Sequence, residues 1–330
     1  MKAITYEKFG AAADVLKLAD IDLPAPGPGE VTVELSRSGV NPSDTKARAG
    51  TRPGVTEPPF PVIIPHSDGA GVITAIGEGV EPGRKGQRVW VWNGQWRRAF
   101  GTAAQSITLP AEQAVALPEG IGPDTGASLG IPGLTACHAV FGGGEVKDKT
   151  LLIQGGSGSV GHLAVQLAHW GGARVIATAS AANLARCEAA GADAALDHSA
   201  PDLAAQILEA NDGDPIERIV EVEFGRNLAT DAEVIAENGT IAAYGSQLEM
   251  APTLNFGPLL FKAVTIDVLL IYLLPKQARD LAIARLHSAL TQGALDCPVA
   301  ETFPLARTAE AHEAVERGAR EGAILVDTSG

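Results

Sequence analysis

The chain has 330 residues, of which 45% are hydrophobic and 19% are charged, and its mean hydropathy is +0.11. These values are typical of a soluble globular protein of about two domains, and they exclude a disordered chain or an integral membrane protein. The formal net charge of -14 argues against nucleic acid and anionic membrane surfaces as partners, because both would be repelled.

The cysteines and the apolar runs narrow the class of protein further. Cys137, Cys187 and Cys297 lie far apart, so we expect neither a disulfide framework nor a four-cysteine structural zinc site. The first residues lack the apolar core of a signal peptide, which predicts a cytoplasmic protein. The longest apolar run, residues 264–274, is interrupted by Asp267 and reaches about half of the ~20 residues that span a bilayer. We interpret this run as a buried strand or a subunit contact.

The first part of the chain, up to about residue 118, predicts a mostly β domain. Short β-branched runs at 31–33, 71–73 and 88–92 are separated by turns rich in Gly and Pro.

From about residue 122 the pattern changes to apolar strands that alternate with Ala-rich helices. The predicted strands are 151–154, 174–178, 194–196, 216–222 and 240–244, and the predicted helices are 160–170, 182–190, 202–210 and 227–236. Strict alternation predicts βαβ units, and hence an α/β doubly wound parallel sheet of the nucleotide-binding type. After residue 261 the pattern is mixed, and it ends in a strand at 323–326.

A glycine-rich loop joins the first of these strands to the first helix. Gly156, Gly158 and Gly161 have the spacing of the dinucleotide-binding fingerprint, in the strand, turn and helix setting that it requires. We expect Gly156 to permit the tight turn, Gly158 to admit the pyrophosphate and Gly161 to allow close packing of helix and strand. The free N–H groups at the start of the helix would then face the phosphates.

The end of the second strand favours NADP over NAD. NAD enzymes usually place a carboxylate there, about 20 residues after the glycines, to bind the ribose 2'-hydroxyl. Here residues 177–180 contain no carboxylate that would repel a 2'-phosphate. Ser180, with Asn183, Arg186 and His198 near it in the predicted fold, is a candidate for polar contact with that phosphate.

Several stretches together resemble the quinone oxidoreductase branch of the medium-chain dehydrogenase/reductase superfamily, most closely the zeta-crystallin type. They are residues 39–44, 68–72, 85–89 and 130–136 and the glycine-rich loop. The likeness implies a GroES-like, mostly β catalytic domain formed by 1–121 and 262–330, and a Rossmann NADPH-binding domain at 122–261. It also implies that the cofactor lies between the domains, and that the region at 264–274 joins two subunits into a homodimer.

The resemblance further implies which residues contact the cofactor. The pyrophosphate would be bound by the loop, and the 2'-phosphate by Ser180 and His198. The nucleoside and nicotinamide sides would be lined by Asn227, Tyr244, Gly245, Ser246, Gln247 and Asn41. The chain departs from the family at two positions, because Lys46 stands where members often have Tyr, and Leu184 where they often have Lys. The full set of predicted cofactor-binding residues is Asn41, Lys46, Gly156, Ser157, Gly158, Ser159, Val160, Gly161, Ser180, His198, Asn227, Tyr244, Gly245, Ser246 and Gln247.

No metal is expected. Zinc alcohol dehydrogenases of the superfamily have a Cys where this chain has Asn41, and Gly-His-Glu where it has 66–68. Asp44, His66 and Asp68 could be imagined as a new metal site, but their spacing alone does not favour that hypothesis. We expect Asp68 to pair instead with a loop N–H.

Without zinc, the chemistry would be hydride transfer to an electrophile that needs no Lewis acid, such as a quinone or an enone. Asn41 and Lys46 are the candidate catalytic residues, and Arg48 and Arg52 are further polar groups expected near the acceptor's oxygen. Trp90, Trp92 and Trp96, with Arg97 and Arg98, either stack on a flat ring or fill space.

The leading hypothesis is therefore a cytoplasmic, zinc-independent NADPH:quinone oxidoreductase. Reduction of α,β-unsaturated carbonyl compounds on the same scaffold is the nearest alternative, since variable loops shape the substrate pocket. An alternative of another class is an NADPH-binding sensor or structural protein with little turnover. An RNA-binding role disagrees with the acidic balance of the chain.

Overall fold

A computed structural model describes residues 1–52, 54–318 and 320–330. The chain folds into two compact units. Unit 1 consists of Met1–Ile131 and Cys297–Gly330, and unit 2 consists of Pro132–Asp296.

The regular elements of both units follow in chain order. The strands are β1 (Lys2–Thr5), β2 (Lys17–Asp20), β3 (Glu30–Val40), β4 (Asp68–Ile76), β5 (Arg88–Val91), β6 (Ser106–Pro110), β7 (Ala114–Ala116), β8 (Thr150–Ile153), β9 (Arg174–Ala179), β10 (Ala194–Asp197), β11 (Ile216–Glu221), β12 (Ile235–Ala243), β13 (Thr265–Val268), β14 (Val299–Pro304) and β15 (Ala323–Asp327). The helices are α1 (Ala12–Val15), α2 (Pro42–Ala49), α3 (Pro123–Gly126), α4 (Leu134–Phe141), α5 (Ser159–Trp170), α6 (Leu184–Ala189), α7 (Leu203–Ala210), α8 (Phe224–Val234), α9 (Phe256–Phe261), α10 (Lys276–Thr291) and α11 (Thr308–Arg317).

Unit 1 is mostly β, as predicted. Its larger sheet has the strand order β14-β15-β3-β4-β5-β7, with β6 paired to β3. Along β3, Val31, Val33 and Leu35 are buried while the residues between them are not, which is the two-residue period of a strand with one face in a core. The C-terminal strand β15 lies between β14 and β3, so the tail of the chain completes the sheet that its first part begins.

Unit 2 has the predicted doubly wound architecture. Its six strands are all parallel, in the order β10-β9-β8-β11-β12-β13. The chain runs outward from β8 to β10 in one direction and from β11 to β13 in the other, so the strand order reverses between β8 and β11. In open α/β sheets, ligands bind beyond the carboxyl ends of the strands at such a switch point.

The boundary expected at residue 261 needs correction. Residues 262–296 belong to unit 2, because β13 hydrogen-bonds in parallel with β12 and extends the sheet. The other junction lies between Ile131 and Pro132, ten residues after the expected end at 121. Within the apolar run 264–274, only Thr265–Val268 form a strand, and Ile271–Leu273 form a 3-10 turn.

The individual elements agree with the predicted alternation, with shifts at their ends. Helix α8 begins at Phe224, three residues before the predicted start, and β12 begins at Ile235 instead of residue 240. All three cysteines are buried, and none of them forms a disulfide bond. In the part of the chain that the structure describes, no helix is long and apolar enough to cross a membrane.

Candidate functional site

The glycine-rich loop of unit 2 begins directly after β8 and ends in α5. We expected Gly156 to permit the tight turn. The residue with the left-handed conformation is instead Gly155, whose φ is 70°. Gly156 is required for another reason: a Cβ there would lie 2.9 Å from Ala177 Cβ and 3.1 Å from Cys187 Sγ. The tight turn and the close packing are thus divided between two neighbouring glycines.

The next two glycines of the loop differ in the space around them. A Cβ on Gly161 would lie 2.1 Å from Gly155 O, so only glycine lets α5 start this close to the loop. A Cβ on Gly158 would meet only Gly155 O, at 3.4 Å, so space remains in front of the exposed Gly158. Ser157, Ser159 and Val160 are half-buried around it. The first N–H groups of a 12-residue helix therefore face an approachable surface, which fits a phosphate group.

The other predicted cofactor residues of unit 2 follow the carboxyl ends of the neighbouring strands. Ser180 directly follows β9, and its Oγ accepts a hydrogen bond from Asn183 Nδ2 at 3.0 Å. His198 directly follows β10, and its side chain is exposed. Because these strands are parallel, both residues lie at the same edge of the sheet as the glycine-rich loop.

The loop after β12 carries Tyr244, Gly245, Ser246 and Gln247. Ser246 Oγ accepts the Gly225 N–H at 2.9 Å, and Glu223 accepts the Gln247 N–H at 2.8 Å. This loop is therefore fixed to the turn between β11 and α8. Burial raises the pKa of Tyr244.

A buried polar network that sequence reasoning missed lies behind the glycine-rich loop. Thr178 Oγ1 accepts the Gly155 N–H at 3.2 Å and donates to Gln154 Oε1 at 2.6 Å. Gln154 Nε2 donates in turn to Asp231 Oδ1 at 3.0 Å. Asp231 interacts with Glu221, which also accepts from Asn227 Nδ2 at 3.1 Å. The predicted cofactor residue Asn227 is thus a member of this network.

The two carboxyl groups of the network hold protons more tightly than ordinary acids. Burial raises the pKa of Asp231 well above its usual value, and the nearby Glu221 raises it further. Burial likewise raises the pKa of Glu221. Two buried carboxyl groups in contact cannot both ionise cheaply, so a proton remains on the pair.

In unit 1 the predicted catalytic residue Asn41 caps the start of α2. Its backbone N–H donates to Asp44 Oδ2 at 2.8 Å, and its side-chain Nδ2 donates to Asp68 Oδ2, also at 2.8 Å. Asp68 accepts the Ile131 N–H on both oxygens at 2.9 Å, so its partner is a backbone N–H as expected, but one in the π-helical turn Leu129–Gly133 and not in a loop. Burial raises the pKa of Asp44 to about 7 and the pKa of Asp68 well above its usual value.

A chain of neutral groups continues from Asp68 into the interior of unit 1. Thr102 Oγ1 donates to Asp68 O at 2.6 Å and lies 2.8 Å from Ser38 Oγ, which lies 2.8 Å from His66 Nδ1. His66 Nε2 lies 2.8 Å from His312 Nε2. Since the Thr102 hydroxyl is donated to a carbonyl, the donors follow one direction: His312 to His66, His66 to Ser38, and Ser38 to Thr102. Burial lowers the pKa of His66 to about 3 and the pKa of His312 well below its usual value.

The remaining polar candidates of unit 1 differ in their burial and in their hydrogen-bond partners. Lys46 lies half-buried in the last turn of α2, after Asn41 on the same helix. Arg48 was expected near the acceptor but is buried, with its guanidinium bonded to Gly10 O and Glu316. Arg52 Nη2 donates to Ser43 O at 3.0 Å. Lys46 is therefore the cation of α2 that is left for a ligand.

The tryptophans and arginines of residues 90–98 differ in their burial and in their contacts. Trp90 and Trp92 are 0% and 4% exposed, so they fill the core of unit 1. The Arg97 guanidinium lies 5.4 Å from the centre of the Trp96 ring, and Arg98 Nη2 donates to Gln113 Oε1 at 2.6 Å.

The positions that correspond to zinc ligands are engaged in the hydrogen bonds just described. Asn41 is bonded to Asp68, and His66 points both nitrogens at Ser38 and His312. Among residues 1–52, 54–318 and 320–330, no group of three or more His, Cys, Asp and Glu side chains is arranged to hold a metal ion.

Comparisons with known families match a different family model to each of the two units. Residues 27–119 match the family model described as alcohol dehydrogenase GroES-like domain, and residues 159–288 match the model described as zinc-binding dehydrogenase. The first match lies within unit 1 and the second within unit 2.

Individual relatives cover almost the whole chain. The quinone oxidoreductase of Sus scrofa is 30% identical over 335 residues, which is 99% of this chain and 98% of the relative. The structure of Escherichia coli quinone oxidoreductase complexed with NADPH has a TM-score of 0.86 and 25% identity, and covers 99% of this chain and 100% of its own. The structure of a 2-haloacrylate reductase has the same TM-score and identity and covers 100% of both chains.

Proposed function

Because the chain belongs to the zeta-crystallin-like quinone oxidoreductase family of the medium-chain dehydrogenase/reductase superfamily, we propose that it is a zinc-independent NADPH:quinone oxidoreductase. The observation that carries the cofactor assignment is the loop from Gly155 to Gly161. It combines an approachable helix start with three glycines, Gly155, Gly156 and Gly161, at which an added Cβ would be strained or crowded. The relative of known structure from Escherichia coli was solved with NADPH.

The residues of unit 2 have distinct tasks in this proposal. The N–H groups at the start of α5, with Ser157 and Ser159, would hold the pyrophosphate. Ser180 and His198 would bind the 2'-phosphate, and residues 244–247 with Asn227 would line the rest of the cofactor. When bound, NADPH supplies the hydride, which adds to an electron-poor carbon of the quinone.

The residues of unit 1 would stabilise the charge that develops on the quinone. Hydride addition moves an electron pair onto a quinone oxygen, and solvent supplies the proton that completes the hydroquinone. Asn41 can donate an N–H to that oxygen, and Lys46 a charge-assisted hydrogen bond. Asn41 stands where a zinc ligand would be needed and is already bonded to Asp68, which supports a reaction without zinc.

The test is the oxidation of NADPH and NADH by chelator-treated protein, with 1,4-quinones and enones as parallel acceptors. We expect turnover with NADPH and quinones, and a fall in kcat of about 10-fold or more for Lys46→Gln. Lys85→Gln, which changes an exposed lysine of unit 1, is the matched control and should keep wild-type kcat. Tight NADPH binding with no acceptor reduced would refute the catalytic proposal.

Reduction of α,β-unsaturated carbonyl compounds is the second candidate. The similarity to a 2-haloacrylate reductase favours it, because that relative is named for a substrate whose double bond is conjugated to a carboxyl group. A higher kcat/KM for enones than for quinones would replace the first assignment by this one.

The preference for NADPH is tested separately at Ser180. Ser180→Asp places a carboxylate at the end of β9, where it would repel a 2'-phosphate and accept from a 2'-hydroxyl. We expect the ratio of NADPH to NADH affinity to fall by about 100-fold, which corresponds to roughly 3 kcal/mol. Gln292→Glu, at an exposed position of unit 2 that directly follows α10, controls for added charge.

A homodimer is also part of the proposal. Strand β13 is at the edge of the unit 2 sheet. Its last residue, Val268, is 81% exposed, and Leu270 and Leu273, which follow the strand, are 49% and 57% exposed. An exposed apolar edge strand is usually covered by a partner, and a second copy of β13 would extend the sheet. Sedimentation should show a dimer that Val268→Lys weakens. Leu18→Lys, which changes an exposed leucine of unit 1, should leave the dimer intact.

A further inference from the structure

The side chain of Asn41 has two chemically different ends, and the structure determines which end faces Asp68. Asn41 Nδ2 lies 2.8 Å from Asp68 Oδ2. Both Asp68 oxygens also accept the Ile131 N–H, and Asp68 Oδ2 accepts from the N–H end of the Asn41 carboxamide. One N–H of Asn41 is thereby used, and the second N–H on the same nitrogen is held in a fixed direction.

Asp68 is itself held from several sides. The Ile131 N–H donates to both carboxyl oxygens at 2.9 Å, within a π-helical turn at Leu129–Gly133. Neighbouring glycines make room for it: a Cβ on Gly130 would lie 2.0 Å from Asp68 Oδ1, and a Cβ on Gly39 would lie 3.2 Å from Asp68 Cβ. Asp68 is 0% exposed. Its carboxyl group therefore has little freedom to turn, and it imposes its own orientation on Asn41.

The backbone of Asn41 is fixed independently of Asp68. Asn41 and Asp44 form a capping box at the start of α2, with the Asn41 N–H donating to Asp44 Oδ2 at 2.8 Å. At the other end of the same helix, the buried Arg48 is bonded to Gly10 O and Glu316. The capping box also involves the Asn41 side chain, which accepts the Asp44 N–H, so the carboxamide is held from two sides, with its oxygen end toward Asp44 and its N–H end toward Asp68.

We propose that Asp68 is a positioning residue that orients the Asn41 carboxamide, so that the second Nδ2–H of Asn41 is presented to the oxygen of the hydride acceptor. This inference rests on the proposed function, because it assigns Asn41 as the donor to that oxygen. A donor that is oriented before the reaction costs no reorganisation when charge develops, which is the condition under which such donors contribute most.

The variant Asp68→Asn tests the proposal without a change in size. The introduced carboxamide keeps its oxygen for the Ile131 N–H and therefore turns its own NH₂ group toward Asn41, so that two donors meet. The Asn41 carboxamide must then leave its wild-type orientation. We expect kcat to fall by about 10- to 100-fold while the KM for NADPH changes little, in a protein that still folds but has a lower melting temperature. Asp124→Asn, at a half-exposed carboxylate of unit 1 that pairs with Arg37, is the control and should keep wild-type kcat.

A spectroscopic measurement separates this proposal from the proposed function. In ¹⁵N–¹H spectra of side-chain amides, the Asn41 pair is identified by its loss in Asn41→Asp. In the wild-type protein, we expect one Asn41 N–H to exchange slowly with solvent and the other to exchange faster. In Asp68→Asn, both signals should shift and the slow exchange should be lost.

Each outcome bears on a definite statement. Equal, fast exchange of both Asn41 protons in the wild-type protein would overturn the proposal even if Asp68→Asn does not fold. Unchanged kcat together with unchanged Asn41 signals in Asp68→Asn would also overturn it. If the wild-type protein reduces no acceptor, the proposed function fails, and the exchange rates still decide whether Asp68 orients Asn41.

Discussion

The glycine-rich loop of unit 2 and the Asn41–Asp68 cluster of unit 1 are the two regions on which the proposed function rests, and they are built in different ways. The loop is one continuous segment, residues 155–161, which contains the whole glycine pattern, although Gly155 and Gly156 also lie against Val222, Ala177 and Cys187. The cluster is assembled from distant segments, with Asn41 after β3, Asp68 at the start of β4, and Ile131 63 residues later. The first is therefore encoded locally, and the second depends on the completed fold of unit 1.

Despite this difference, both regions use the same devices. Each has a glycine that permits one very close contact: Gly161 at Gly155 O, and Gly130 at Asp68 Oδ1. Each has a buried threonine behind it, Thr178 or Thr102, which accepts one hydrogen bond and donates another. What differs is the group at the end of the network, which is a pair of carboxyl groups in unit 2 and a pair of imidazoles in unit 1.

The two glycines give the largest expected effects. Gly161→Ala brings a Cβ against backbone that cannot move away, and we expect it to lower the free energy of unfolding by about 3 kcal/mol and to abolish NADPH binding. In Gly130→Ala the added Cβ would press on the Asp68 side chain. We therefore expect the free energy of unfolding to fall by about 2 kcal/mol while the affinity for NADPH is retained. Gly257→Ala, whose Cβ would meet no atom closer than 4.0 Å, is the control. Calorimetry and cofactor titration measure both quantities, and equal losses of affinity in the first two variants would contradict the difference between the two regions.

The two threonines give a matched comparison of somewhat smaller effects. Thr178→Val and Thr102→Val keep the side-chain shape and each leave buried polar groups without a partner, which costs about 2 kcal/mol. Thr178→Val also frees the Gly155 N–H of the glycine-rich loop, so it should weaken NADPH binding, whereas Thr102→Val should not. Denaturant unfolding and cofactor titration of the two variants measure this. A loss of affinity for Thr102→Val as large as that for Thr178→Val would show that the networks are not separate.

How much of each region could be predicted from the sequence follows from the same difference. The loop was found, with its cofactor class, because glycine spacing between a strand and a helix is a local pattern. Even there the tight turn was assigned to Gly156 instead of Gly155, since spacing does not reveal which residue has positive φ. In unit 1 the motifs containing Asn41 and Asp68 were noticed only by resemblance.

The partners of those residues could not be predicted. Ser38, Thr102 and His312 come from three remote segments and have no pattern in common. The edge strand β13 was assigned to the wrong unit for a related reason. Its apolar residues predicted burial or a contact, but only the pairing with β12 shows to which sheet they belong.

The carboxyl pair of unit 2 predicts a stability that falls as pH rises. Because the pKa values of Asp231 and Glu221 are raised in the folded state, the folded protein keeps protons that the unfolded chain releases near pH ~4. Their contribution to stability is therefore complete below that pH and is lost toward neutral and alkaline pH. Asp231→Asn removes one acid while keeping a group that can accept from Gln154 and donate to Glu221.

We expect the stability of Asp231→Asn, relative to wild type, to increase steadily when guanidinium unfolding is measured at pH values of about 5, 7 and 9. The exposed substitution Asp280→Asn serves as the control in the same unit. A difference from wild type that does not change with pH would mean that the pair holds no extra proton.

The imidazole pair of unit 1 predicts the opposite sign and the smallest effect. Burial lowers the pKa of His66 to about 3 and also lowers the pKa of His312, so the folded state excludes protons that the unfolded chain binds near pH 6.5. This contribution to stability is present above about pH 6.5 and is lost as the pH falls below it. His312→Gln keeps an N–H donor for His66 but removes one titrating group. It should therefore recover about 1 kcal/mol relative to wild type between about pH 8 and pH 5.5.

The control is His169→Gln, which changes an exposed histidine of unit 2. This variant should not recover stability relative to wild type when the pH is lowered. Only the change between the two pH values matters, because it cancels any effect of the substitution on stability that does not depend on pH. If His312→Gln and wild type lose stability in parallel on acidification, the two imidazoles are not both neutral in the folded state. The donor direction assigned from His312 to Thr102 would then be wrong, because a protonated His66 or His312 would need an acceptor where the structure provides another donor.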